Sequence, residues 1–195
     1  MDCLMKGVIF TIFEDFITEN WGVETFEAIL EDCPHAAREP FVAPKSYPDQ
    51  WIVDLVVATC SRLSLEAPDA LRAFGQFAFK GLVSRYPIFL AGVDHPRELL
   101  LSVHDIIHVE VKKLMEGATP PNLYYEGADG DPGYLTIHYE SERGLCALME
   151  GLLAGASEHF SLPIECDHTS CTHRGDDRCT YELKFLAMAT NNQDG

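Results

Sequence analysis

The chain has 195 residues, of which 47% are hydrophobic and 23% charged, and its formal net charge is −17. This composition is that of a globular protein with one large domain or two small ones, and it excludes an intrinsically disordered chain. The negative charge would repel phosphate backbones and anionic lipids, so we expect neither nucleic acid nor a membrane as a partner.

No apolar stretch approaches 18 residues without a charge, so no transmembrane span is predicted. Residues 1–6 lack the basic and apolar regions of a signal peptide. The cysteines number seven, and an odd count in a chain of this length is not typical of a secreted disulfide framework. We therefore expect a cytoplasmic protein with free thiols.

Helices are predicted to dominate the first part of the chain. Residues 7–30 carry apolar side chains at helical spacing, and a loop rich in proline and charge is expected over 31–50. Helices follow at about 49–63 and at 69–85, the second ending before Pro87. A long amphipathic helix is predicted over 96–115, with Gly117 and Pro120 after its end.

The second part combines strands with one helix. Residues 122–125 are predicted to be extended, 129–133 to form a turn, and 134–141 to form a strand. A helix is expected over 144–160, followed by a hairpin of residues 163–171 and 178–185. The sequence thus predicts an α+β fold, with one domain over residues 1–185 and a flexible tail over 186–195.

His108 lies on the predicted long helix, with the apolar side chains of Leu101, Val111 and Met115 at helical spacing from it. A neutral imidazole on an apolar helix face can ligate haem iron. Taken alone, the pattern is better explained by a core histidine with a satisfied hydrogen bond. His104 lies one turn earlier, but the pair lacks the intervening glutamate of a zinc-protease motif, so a surface histidine is the simpler interpretation.

Tyr139, Ser141 and Arg143 alternate along the chain. In an extended segment this spacing points all three side chains to the same side. Two hydroxyls and a planar guanidinium can bind a carboxylate, such as a haem propionate. For this motif alone, an ordinary exposed strand edge is the favoured explanation.

Five sulfur and nitrogen donors occur within a short window: Cys166, His168, Cys171, His173 and Cys179. Structural zinc takes four such ligands in a tetrahedron. Cys146 on the preceding helix, or Cys166, could complete a set with His168, Cys171 and Cys179. A metal site explains this density of donors at least as well as unrelated thiols do.

These groups occur together in the haem-nitric oxide/oxygen binding (H-NOX) family, the sensor domain also found in soluble guanylate cyclases, and the chain resembles this family over nearly its whole length. Residues 5–10 resemble the start of the family, and residues 105–121 resemble the segment with its proximal histidine. Tyr139-x-Ser141-x-Arg143 resembles its propionate-binding motif. The three segments follow the family's order and spacing.

The resemblance implies haem b buried between a helical N-terminal part and a C-terminal part with a small antiparallel sheet and helices. It implies His108 as the axial iron ligand and Pro121 as the proline that presses on the haem. The propionate anchors would be Tyr139, Ser141 and Arg143. Some bacterial members also bind zinc, and the corresponding positions here are Cys146, His168, Cys171 and Cys179, which leaves Cys166 as a spare thiol.

Oxygen-binding members of the family place a tyrosine hydroxyl over the distal face of the haem. That position corresponds here to Leu148, and the residues that would support a tyrosine correspond to Phe13 and Ala78. With Ile9 and Leu152 they form the distal pocket that the resemblance implies. The ferrous protein is therefore expected to bind NO and CO but not to hold oxygen stably.

The sequence therefore predicts a haem-based nitric oxide sensor and not an enzyme, because peroxide chemistry needs a distal acid–base pair. The alternatives are a zinc and thiol redox sensor on the same fold and, less favoured, a haem enzyme. No kinase, cyclase or phosphodiesterase sequence follows the domain, so we expect a separate partner protein. The resemblance implies a histidine kinase or a cyclic-di-GMP enzyme in that role.

Overall fold

The computed structural model describes residues 4–36, 39–103 and 120–186. Within these ranges the chain forms six α-helices, a two-stranded sheet and a four-stranded antiparallel sheet. The predicted α+β fold is confirmed. None of the helices in these ranges is both long and apolar enough to cross a membrane.

The N-terminal part is built mainly from helices. Strand β1 (Leu4–Lys6) leads directly into α1 (Gly7–Trp21), and α2 (Val23–Asp32) follows. The prediction of one helical stretch over 7–30 is wrong at Gly22, where the structure has a break between two helices. This residue has φ 91°, a conformation open to glycine at little cost, and it ends the first helix and precedes the second.

The predicted loop over 31–50 is also partly wrong, because it contains a strand. Strand β2 (Ser46–Pro48) pairs antiparallel with β1, and Met5 lies opposite Tyr47. Helices α3 (Asp49–Leu63) and α4 (Ala67–Arg85) then follow, close to their predicted bounds. Helix α5 (Pro96–Ser102) begins at the predicted position. The rest of the predicted long helix, with His104 and His108, lies outside the described residues, and so does Gly117, which was predicted to follow its end.

The C-terminal part is a sheet covered by one helix. Its elements are β3 (Asn122–Glu126), β4 (Tyr134–Glu140), α6 (Cys146–His159), β5 (Ile164–Ser170) and β6 (Cys179–Phe185). The strand order is β3-β4-β6-β5, and all neighbours are antiparallel. The predicted hairpin is confirmed as β5 and β6. Most of the predicted tail, residues 187–195, lies outside the described ranges.

Helix α6 joins the two parts of the molecule. Its Leu148 and Leu152 pack against the apolar core formed by helices α1 to α4. Its Met149 and Leu153 are buried against the inner face of the four-stranded sheet. Because an α-helix has 3.6 residues per turn, these two pairs of side chains point to different sides of α6. One helix can therefore pack against both cores.

Two glycines allow α4 and α6 to cross with their backbones in contact. A Cβ atom on Gly151 of α6 would lie 2.2 Å from the carbonyl oxygen of Arg72 in α4. A Cβ atom on Gly75 of α4 would lie 2.4 Å from the carbonyl oxygen of Leu148. A larger residue at either position would force the helices apart. This crossing sets the position of Leu148 relative to α4.

Candidate functional site

The five residues predicted to line a distal pocket lie in one apolar cluster. Phe13 of α1 and Ala78 of α4 are buried within it. Ile9, Leu148 and Leu152 are partly buried and pack against the same cluster. None of these five side chains has a hydrogen-bond donor. Three helices supply them, so their proximity is a result of tertiary packing.

The predicted propionate-binding side chains also lie close together. The strand that carries Tyr139 ends one residue earlier than the predicted 134–141. Tyr139 lies on β4, but this strand ends at Glu140, and Arg143 lies in the turn that follows. Ser141 Oγ accepts a hydrogen bond of 3.3 Å from the backbone N–H of Arg143. Burial raises the pKa of Tyr139, while a hydrogen bond with Ser141 and the charge of Arg143 act in the opposite direction.

Arg143 forms an ion pair that the sequence analysis did not predict. Its Nε donates to Asp49 Oδ2 at 2.7 Å, and the two side chains are only 11% and 13% exposed. Its Nη2 donates to the carbonyl oxygen of Leu4 at 3.3 Å. Asp49 begins α3, 94 positions away in sequence. The guanidinium therefore connects the C-terminal part to both β1 and α3.

Arg143 lies in a cleft of mixed charge. Ser141 and Arg143 line this open cleft of about 510 Å³ with Pro120, Pro121 and Arg178, and the carboxylates of Glu140, Glu142 and Asp177 also line it. A guanidinium that is largely shielded from water binds carboxylates through charge-assisted hydrogen bonds. Ser141 and Arg143 therefore suit the propionates of haem, while Asp49 occupies Arg143 Nε and acidic side chains share the cleft. The predicted iron ligand, His108, lies outside the described residues.

Four predicted metal ligands form the second constellation. One ligand atom from each of Cys146, His168, Cys171 and Cys179 lies within 4.8 Å of the others. The Cys171 sulfur is 3.7 Å from that of Cys146 and 3.9 Å from that of Cys179. With a zinc–sulfur bond of about 2.3 Å, tetrahedral geometry separates two sulfurs by about 3.8 Å. Cys166 does not belong to this group.

His168 occupies the remaining corner of the cluster. Its Nδ1 lies 2.7 Å from Oε1 of Glu150, and its ring stacks on Tyr181 with centroids 4.4 Å apart. Its Nε2 is buried and has no hydrogen-bond partner among the described residues. A buried polar atom without a partner is costly, and coordination of a metal ion would satisfy it.

Burial and neighbouring groups shift the pKa of three thiols in or near the cluster. Burial, with hydrogen bonds and charges from the neighbouring thiols, raises the pKa of Cys146 to about 12. Burial acts against ionisation of Cys171 too, but backbone N–H groups of His173 and Arg174 and the two other thiols lower its pKa overall. Burial and the nearby carboxylates of Glu150 and Asp167 raise the pKa of Cys166 to about 12.

Comparisons with known proteins identify the family and the fold. A model of the haem-NO-binding family matches residues 6–168. The crystal structure of an H-NOX protein from S. oneidensis in the Fe(II)NO ligation state is 34% identical, with a TM-score of 0.86 over 94% of this chain and 100% of that chain.

Two further solved structures are similar. An NMR structure of an H-NOX domain from Shewanella oneidensis in the Fe(II)CO ligation state is 34% identical, with a TM-score of 0.82, and covers 93% of this chain and 99% of that chain. The crystal structure of an unliganded Fe(II) H-NOX point mutant from K. algicida is 25% identical, with a TM-score of 0.84, and covers 95% of this chain and 98% of that chain.

Proposed function

We propose that this chain, which belongs to the haem-NO-binding (H-NOX) family of sensor domains, senses nitric oxide at a ferrous haem and does not act as an enzyme. When bound, the haem supplies the iron atom that takes the gas. The similar protein from S. oneidensis has been crystallised with Fe(II) and NO. The fold shared with it and the residues gathered here support the same ligand in this chain.

The binding residues follow from their positions. His108 would ligate the iron, and Tyr139, Ser141 and Arg143 would hold the propionates. Pro121, which lines the same cleft as Ser141 and Arg143, would press on the ring. Iron ligation by a histidine and burial of the ring are the means by which proteins hold haem b.

The selectivity for NO rests on one observation, the absence of a donor on the five distal side chains. Hydrogen-bond donors in the distal pocket are among the features that decide whether a haem protein binds oxygen. Phe13 and Ala78 are buried, and Leu148 packs against the same cluster. We therefore propose that NO and CO bind and that oxygen does not remain bound.

An absorption spectrum of the full chain tests this proposal. The ferrous protein is prepared without oxygen and its Soret band is recorded alone, with NO, with CO and after admission of air. We expect shifts with NO and CO. A stable shift in air that CO reverses would refute the argument from the distal pocket.

The axial ligand has its own test with a matched control. His108→Gly should lose haem, or retain it only with added imidazole, because no protein ligand would remain on the iron. His104→Ala removes the neighbouring histidine on the same segment and should retain haem normally. The opposite behaviour of the two variants would assign the iron to His104.

Transfer of the signal to a histidine kinase or a cyclic-di-GMP enzyme is supported by the family resemblance. Within the chain, α6 packs on both parts of the molecule, and the pair between Arg143 and Asp49 connects them. A shift of one part against the other is a change that a partner could detect. Measurement of partner activity with and without NO tests this step, and an unchanged activity contradicts it.

A second role is supported by the Cys146, His168, Cys171 and Cys179 cluster. We propose that these residues bind one zinc ion and that a peroxide can oxidise two of the thiolates to a disulfide, itself taking the two electrons and two protons to become water or alcohol. Loss of two thiolate ligands would release the ion, which would make the cluster a redox sensor. A reducing compartment, such as the cytoplasm, would keep the thiols available. Metal analysis is expected to show one zinc per chain. Much less than one zinc, with every thiol reduced, would contradict the assignment.

A further inference from the structure

We propose that Glu150 is a positioning residue for the metal site, and that Arg72 holds its carboxylate in place from helix α4. The inference rests on the proposed zinc site. Glu150 lies on α6, and its two carboxylate oxygens have different partners: Oε1 lies at His168 Nδ1, and Oε2 accepts from Arg72 Nε. The carboxylate thus links the metal site to α4.

The tautomer of His168 follows from this contact. An ionised carboxylate can only accept hydrogen bonds, so Nδ1 of the neutral ring is the donor and Nε2 carries the lone pair. Nε2 is the buried atom without a partner, and one ring nitrogen of His168 lies within 4.8 Å of the three sulfurs. Because Nδ1 is engaged by Glu150, we assign Nε2 as the nitrogen that faces them. Metal-binding histidines commonly donate their second nitrogen to a carboxylate in this way.

Two contacts together determine how the imidazole is oriented. Tyr181 lies against the face of the ring, with planes inclined by 24°, and limits its tilt. Glu150 holds Nδ1 at 2.7 Å and limits rotation within the plane of the ring. The His168 and Glu150 side chains are only 14% and 19% exposed, so water competes little for this hydrogen bond. With both contacts present, Nε2 points at the sulfurs before the metal arrives.

Arg72 has the weaker part in this arrangement. Its side chain is 47% exposed and also contacts Asp69, so its ion pair is screened by solvent. Arg72 restricts the orientation of the Glu150 carboxylate, because it donates to Oε2 while His168 contacts Oε1. Arg72 also lies at the crossing where its carbonyl oxygen faces Gly151.

The same pair of helices offers a matched control. Glu158 also lies on α6 and accepts from α4, at 2.7 Å from Lys80 Nζ and 3.0 Å from Gln76 Nε2. It has no contact with the cluster among the described residues. If Glu150 only joined the two helices, Glu150→Ala and Glu158→Ala would have similar effects on metal binding.

The test measures zinc affinity of the full chain by competition with a chelator, with unfolding curves recorded for each variant. Glu150→Ala should lower the affinity about 10–100-fold, and Glu158→Ala should leave it within about twofold. Cobalt absorption spectra should change for Glu150→Ala and not for the control. Equal affinities for the two variants would overturn the positioning role while leaving the zinc site intact. If the wild-type chain binds neither metal, the zinc site itself fails and this inference fails with it.

Nitrogen-15 NMR of His168 gives a readout that does not depend on bound metal. In the reduced, metal-free chain, at a pH where the spectrum shows a neutral ring, the ring should be the Nδ1–H tautomer, and Glu150→Ala should shift it toward a mixture. Finding the Nε2–H tautomer in the wild-type chain would overturn the proposal even if the affinities changed.

Discussion

Replacement of Gly151 by alanine tests the contact between α4 and α6 on which the candidate pocket depends. The new Cβ would lie 2.2 Å from the Arg72 carbonyl oxygen and 2.8 Å from the Gly75 Cα. Ordinary contact begins at 3.4 Å, so the backbones must separate by about 1.2 Å, the difference from 2.2 Å. Neither atom is a flexible side-chain end that could move aside.

Two opposing effects determine how much Gly151→Ala changes the free energy of unfolding. Overpacking of a well-packed contact costs roughly 1–3 kcal/mol, while alanine gains up to about 1 kcal/mol of helix propensity over glycine. We expect a net loss of about 1–2 kcal/mol in the free energy of unfolding. With a urea m-value of about 2 kcal/mol/M, the middle of the usual range for small proteins, the unfolding midpoint should fall by about 0.5–1 M.

Equilibrium urea unfolding of the metal-loaded chain measures this change, with Gly130→Ala as control. A Cβ on Gly130 meets no atom closer than 3.4 Å, so that variant should stay within about 0.5 kcal/mol of the wild type. Separation of the helices would also displace Leu148, and we expect faster haem loss from Gly151→Ala. Equal stability of the two variants would refute the close crossing of α4 and α6.

Three other substitutions have defined expectations. Arg143→Ala removes a charge-assisted contact worth about 1.5–3 kcal/mol, so haem affinity should fall by about one to two decades in a haem-transfer assay. Tyr181→Phe removes the hydroxyl that donates to the Cys146 carbonyl at 2.9 Å in the core, which should cost about 1–3 kcal/mol in urea unfolding. Burial and Asp15 raise the pKa of Glu14 from its usual 4.5, so its ionisation disfavours the folded state as pH rises above that value. Glu14→Gln should therefore raise the free energy of unfolding at pH 7, with the gain disappearing below pH 4.5.

Each of these substitutions has an exposed control of the same residue type. For the arginine, Arg85→Ala should not affect haem retention, and equal rates of haem loss in both variants would contradict the propionate role. Tyr134→Phe, at a tyrosine that is 53% exposed, should leave stability unchanged, so a similar cost at both tyrosines would exclude the buried hydrogen bond as the cause. Glu24→Gln should lack the pH-dependent gain, and a gain at Glu14 that persists at low pH would rule out burial of its charge.

Local patterns in the sequence were sufficient for the fold class and for several elements. Helices α3 and α4 and the hairpin of β5 and β6 lie near their predicted bounds, because apolar periodicity and turn residues act within a few positions. The density of donors from Cys166 to Cys179 pointed to a metal site for the same reason. The break at Gly22 was missed, because both flanking segments continue the helical pattern.

Local spacing could not decide which distant residues meet, and the tertiary structure did. Spacing left Cys146 and Cys166 open as the fourth ligand, and the family resemblance favoured Cys146. The structure brings a ligand atom of Cys146, and not of Cys166, within 4.8 Å of the other three. The pair between Arg143 and Asp49 spans 94 positions. Glu150 reaches both His168 and Arg72 only because α6 packs between the sheet and α4. Such contacts depend on how whole elements pack, and the apolar periodicity of one segment does not say which distant segment it will contact.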